Sequence, residues 1–76
     1  MKIRLNETEK ELLKIKGIDL NDGQDLSEEE AEDVLDRVRD VEVYYSQQAD
    51  NDRKAKELAI EYGNLADKIQ EIIDEN

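Results

Sequence analysis

The sequence predicts an all-α fold: a short N-terminal helix packed on a longer antiparallel helical hairpin, making a three-helix bundle. Three observations predict it. Proline is absent and glycine occurs only three times, so little punctuates the chain. Two helix-start signatures stand at Asn6 and Ser27. Apolar residues then recur on a heptad from Ala31 to Ile73.

The first helix is expected over 7–16. Asn6 is placed as an N-cap, and Glu7 and Glu9 follow in the first turn, where carboxylates complement the orphan amides. Glu9 stands three residues after Asn6, as a capping box requires. Leu12, Leu13 and Ile15 supply a short apolar face, Lys14 and Lys16 occupy the last turn, and Gly17 suits the C′ position. Ahead of this helix, Lys2-Ile3-Arg4-Leu5 alternate polar and apolar. With no second strand in sight to pair with, they read as an extended lead-in.

Residues 18–26 are turn-rich. Asn21-Asp22-Gly23 all tolerate left-handed geometry, and Ile18, Leu20 and Leu26 are expected to tuck beneath the helices. Ser27-Glu28-Glu29-Glu30 is a second capping box, with Leu26 and Ala31 placed as a small hydrophobic staple. A helix over 28–48 starts there.

Ala31, Val34, Val38, Val41 and Tyr45 occupy alternating a and d positions. The register lapses at the polar Gln48 and Asp52. It resumes unshifted with Ala55, Ala59, Tyr62, Ala66, Ile69 and Ile73. Two architectures fit: one long C-terminal helix forming a coiled-coil dimer, or a fold-back near Asp50-Asn51-Asp52. Those three residues each cost roughly 0.6 kcal/mol in a helix against alanine and are good caps, which favours the fold-back and a third helix over 52–74. Folding there sets Tyr45 against Ala55, Val41 against Ala59, Val38 against Tyr62, Val34 against Ala66 and Ala31 against Ile69. Large side chains then mostly meet small ones.

Leu58, Leu65 and Ile72 form a second stripe, one position before the heptad line. This surplus face needs a cover, and the first helix, with Leu12, Leu13 and Ile15, is the obvious one; a second copy of the chain is the other candidate, which makes Leu58, Leu65 and Ile72 the candidate self-association face. Gly63 inside the third helix is read either as an exposed position or as the site of a close approach by the first helix or a second subunit.

Composition narrows function. The chain is 76 residues long, enough for one domain, 1–76. Acidic residues outnumber basic ones by 22 to 11, a formal charge of −11. That sign repels nucleic-acid backbones and anionic membranes and suits a basic partner. Cysteine and histidine are absent, so thiolate sites, disulfides and an imidazole base are excluded. No apolar run follows the N-terminus or reaches membrane-spanning length, and the expected location is the cytoplasm.

Four features stand as candidate sites. Asp19 to Glu30 has oxygen side chains in the manner of a calcium loop, yet Gly23 falls at the fifth place, one short of the position that makes the sharp turn. Weak divalent-cation binding is therefore only a second alternative. Carboxylate pairs such as Glu29 with Asp33 and Asp36 with Asp40 lack the pocket that would split their pKa values, so no catalytic residue, metal ligand or cofactor is expected. Glu28, Glu29, Glu30, Glu32, Asp33, Asp36, Asp40 and Glu42 line the second helix with spacings near those of phosphates. An acidic DNA mimic that blocks a nucleic-acid-binding protein is the first alternative, although Arg37 and Arg39 interrupt the row. Tyr45 belongs to the seam, which leaves Tyr44 exposed and suited to an interface.

The basic residues Lys2, Arg4, Lys10, Lys14 and Lys16 are expected to pair with the second helix. The expected role is a small, non-catalytic protein–protein interaction or regulatory module, of the kind met in bacteria and phages. Its partner is a basic protein, or a second copy in a homodimer. The expected interaction surface is Glu29, Asp33, Asp36, Asp40 and Tyr44.

Overall fold

The computed structural model describes residues 1–75. Three helices follow in order: α1 (Glu7–Ile15), α2 (Glu28–Gln48) and α3 (Arg53–Glu75). α2 and α3 pack together as a hairpin, and α1 lies against it, so the three-helix arrangement is the one observed rather than a single long helix.

The reversal falls where the heptad lapses. α2 ends at Gln48, and its C-cap Ala49 donates its N–H to the Ser46 carbonyl at 3.3 Å. Asp52 then caps α3. Its Oδ1 accepts the Lys54 N–H at 2.9 Å and its carbonyl accepts the Lys56 N–H at 3.2 Å. A polar residue that competes with the backbone for hydrogen bonds is poor inside a helix and good at its start, which is why the chain turns here.

The seam is the core. Ala31, Val34 and Val38 of α2 are buried, as are Ala55, Tyr62, Ala66, Ile69 and Ile73 of α3. Val41, Tyr45 and Ala59 are only partly buried, so the seam opens toward the turn.

α1 starts with the predicted capping box: Asn6 Oδ1 accepts the Glu9 N–H at 2.8 Å, and Glu9 Oε1 accepts the Asn6 N–H at 2.9 Å. It ends in a Schellman motif. The Ile18 N–H reaches the Leu13 carbonyl at 3.0 Å, the Gly17 N–H reaches the Lys14 carbonyl at 3.1 Å, and Gly17 takes φ +66°. Leu12 and Leu13 face inward, but Ile15 is 62% exposed, contrary to the apolar face expected of it. At about 100° per residue, Ile15 lies on Leu12's outer flank and points past the core.

Three contacts fix α1 to the hairpin. Lys68 donates to Glu9 Oε1 at 2.8 Å, so the capping carboxylate also binds α3. The Tyr62 hydroxyl donates to the Leu12 carbonyl at 2.6 Å in the interior. At the other end, the Lys16 ammonium stands 5.5 Å from the Tyr44 ring centre and 4.8 Å from that of Tyr45.

The lead-in is more than an approach to α1. Ile3 is fully buried, Leu5 is nearly so, and Lys2 forms a single antiparallel bridge with Asp25. The Gly23 N–H donates to the Ile3 carbonyl at 2.9 Å and the Leu26 N–H to the Met1 carbonyl at 2.7 Å. Leu5 N–H donates to Asp22 Oδ1 at 2.8 Å. The alternation in residues 2–5 thus does mark extended pairing. Its partner is the turn-rich segment, which carries Asn, Asp and Gly and gives no strand signal of its own.

Candidate interaction surfaces

α2 presents its acids outward because its other side is the seam. Glu29, Asp33, Asp36 and Asp40 recur at three- and four-residue spacing opposite Val34 and Val38, and all four are exposed. Asp33 accepts Arg37 Nε at 3.5 Å. Among the described residues no ion pair reaches Glu29, Asp36 or Asp40. Arg39 turns away from this row toward α3, meeting Glu42 at 3.2 Å and Asp67 at 3.3 Å.

The row ends in apolar surface. Tyr44 is 51% exposed, as expected, and Val43 beside it is 52% exposed. Tyr44 stands edge-on to Tyr45 with ring centres 5.2 Å apart, and Tyr45 stacks on Tyr62 at 5.8 Å. With Lys16 against both outer rings, Tyr44 is held in place. The wheel position of Val43, off the heptad and beside the acids, was the sequence signal for its exposure.

Gly63 is a close approach, and within the chain the neighbour is a side chain of α2 rather than α1. A Cβ at this position would lie 2.7 Å from Glu42 Oε2 and 3.3 Å from its Cδ. The glycine makes room for the carboxylate that holds Arg39.

The expected pairing of Lys2, Arg4, Lys10, Lys14 and Lys16 with acids of α2 does not occur among the described residues. Lys10 pairs with Glu7 on its own helix at 3.2 Å. The Arg4 guanidinium lies over Gly23. Lys16 does reach α2, but through aromatic faces rather than carboxylates. Within the row, only Asp33 has an ion-pair partner among the described residues, Arg37 of the same helix.

The second stripe of α3 turns inward, as a face covered by the chain's own elements should. Leu65 is 1% exposed, and Leu58 and Ile72 are half-buried against the core. The stripe faces inward because the chain supplies its own cover. The large apolar side chains left outside are Ile15, Val43, Tyr44 and Ile60, the last 56% exposed.

Two acids of the calcium-like loop, Asp22 and Glu30, are engaged by backbone amides, and Asp25 meets the N-terminal ammonium at 3.0 Å. The Leu5 amide holds the Asp22 carboxyl below the usual carboxylate range. The Ser27 amide does the same to Glu30, whose Oε1 accepts it at 3.0 Å, while the Ser27 hydroxyl accepts the Glu30 N–H at 3.1 Å. Among the described residues no group of three or more carboxylates is placed to hold a metal ion. No helix among them is long and apolar enough to cross a membrane.

No family model, no curated protein and no solved structure matches the chain.

Proposed function

We propose that this protein is a non-catalytic interaction module that offers the outer face of α2 to a basic protein partner. One observation carries the reading. A row of exposed carboxylates, most of them without an internal counter-charge, runs along α2 and ends on two half-exposed apolar side chains, Val43 and Tyr44. Carboxylates in such a row steer a basic partner and set its register. A fixed aromatic beside them supplies contact area at little entropic cost. The proposal includes a regulatory role and a cytoplasmic setting.

The test begins with a partner retained by the immobilised chain at low salt, then purified and titrated directly. Glu29→Lys/Asp36→Lys/Asp40→Lys is expected to weaken that partner by at least about tenfold, and Tyr44→Ala by about 1–2 kcal/mol. Circular dichroism checks that both variants keep their helices. A partner bound equally well by the triple variant contradicts the reading. The narrower reading, mimicry of DNA, makes an added demand: duplex DNA must compete with the chain for that partner. The Asp33–Arg37 pair, which breaks the negative row, weighs against it.

A further inference from the structure

A second surface lies between α1 and α3. Its floor is Leu12 and the half-buried Leu58, and Ile15 stands exposed at its edge. Glu7 and Glu11 border it from α1, Glu57 and Glu61 from α3. Each pair is spaced i, i+4, so each forms a short row along its helix. Lys54 is the one basic residue of the lining, set against four carboxylates. Glu7 pairs with Lys10, and among the described residues Glu11, Glu57 and Glu61 make no ion pair.

Two acidic rows on either side of an apolar floor repel each other while the groove is empty. They are matched by a helix whose apolar stripe enters the groove and whose flanks carry Lys or Arg, as flanking charges set partner choice in helix pairs. We propose that the α1–α3 groove docks a basic amphipathic helix of a partner protein, which then serves as a fourth helix of the bundle. This face is separate from the α2 row, and the inference does not rest on the reading given for α2. A second copy of this chain is a poor occupant, since its net charge of −11 would set carboxylates against carboxylates. Phosphate-bearing ligands meet the same repulsion.

α1 has nine residues and sets a groove length of about 13 Å, two to three turns of an occupant. The probe is a labelled synthetic peptide of about 18 residues, with Leu at i, i+3, i+4 and i+7 and Lys elsewhere. Two controls accompany it, one of the same composition shuffled to destroy the stripe and one with Glu replacing Lys. Fluorescence anisotropy reads binding, and circular dichroism reads the helix the peptide gains.

The striped basic peptide is expected to bind and become helical, and the two controls to bind at least about tenfold more weakly. Ile15→Ser changes an exposed side chain and is expected to weaken binding about tenfold, as is Glu11→Gln/Glu57→Gln/Glu61→Gln. Glu29→Lys/Asp36→Lys on α2 should change it by less than about threefold, the residue of long-range attraction. Equal binding of the shuffled peptide overturns the proposal, because it shows attraction to charge alone. So does an α2 variant that loses as much as the groove variants, or a wild-type chain that does not bind. The α2 variant keeps this failure distinct from failure of the proposal for α2.

Discussion

Tyr62 joins all three helices. It stacks on Tyr45 of α2, belongs to α3, and donates its hydroxyl proton to the Leu12 carbonyl of α1 at 2.6 Å. Burial, then its neighbours Tyr45 and Glu61, push its pKa up to about 12. Tyr62→Phe keeps the ring and removes the donor, so urea unfolding is expected to show a loss of about 1–2 kcal/mol. An unchanged midpoint would mean the Leu12 carbonyl finds another partner. Gly63 makes a different test. In the wild type an added methyl meets the Glu42 carboxylate. Once Glu42→Ala has removed it, Gly63→Ala is expected to stabilise α3 by about 1 kcal/mol, the helix-propensity gain. In the wild-type background the gain should be smaller, and a double-mutant cycle measures the difference. At Asp22, the folded carboxyl titrates below its unfolded value because it accepts the Leu5 amide. Its contribution is therefore present above the unfolded pKa and lost as pH falls through the lower folded one. Asp22→Asn retains an acceptor but not the titration, so its stability should fall less as the pH is lowered through and below the ordinary carboxylate value of 3.8. A parallel acid limb in both proteins contradicts that assignment.

The elements differ in how much the sequence disclosed. Both capping boxes and the Gly17 stop were legible because each needs only neighbouring residues and one backbone geometry. The turn at Asp50-Asn51-Asp52 was legible as a lapse in an otherwise unbroken heptad, and Tyr44 as an exposed residue was legible from the wheel. The lead-in was not. Ile3 is buried by pairing with 23–26, and that pairing depends on a segment whose composition points to a turn. Ile15 was missed for a related reason. Periodicity tells which residues share a face, but the crossing of α1 over the hairpin decides which of them end up covered. The lead-in provides a direct contrast. Ile3→Ala is expected to cost about 2–4 kcal/mol, because a fully buried branched side chain leaves a cavity, whereas Ile15→Ser should stay within about 0.5 kcal/mol. Equal effects in chemical denaturation would contradict the placement of residues 2–5 in the core. The candidate sites were legible only in part. The α2 row follows from spacing alone, while the α1–α3 groove exists only because the antiparallel crossing brings Glu11 and Glu61 to the same cleft.

At the scale of the whole molecule, apolar and charged surface are sorted to opposite ends of one balance. The seam, the second stripe of α3 and the lead-in are folded onto one another, so Leu65 has no apolar face left to offer a copy of itself. The charge is outside. With 22 acids against 11 bases, and two ion pairs joining different helices among the described residues, each molecule carries a net charge that repels its own kind. Exposed acids contribute little to stability, so Glu29, Asp36 and Asp40 can be reversed by mutation without unfolding the chain, unlike Glu9, Asp22 and Glu30, which hold backbone amides. Sedimentation equilibrium across protein concentration, at low and at moderate salt, tests this division most directly. A single monomer mass at every concentration and in both salts is the result expected of a chain that covers its own seam and reserves its charged faces for others. A reversible dimer that persists when salt screens the repulsion, and that Leu58→Glu abolishes without loss of helix, would contradict it.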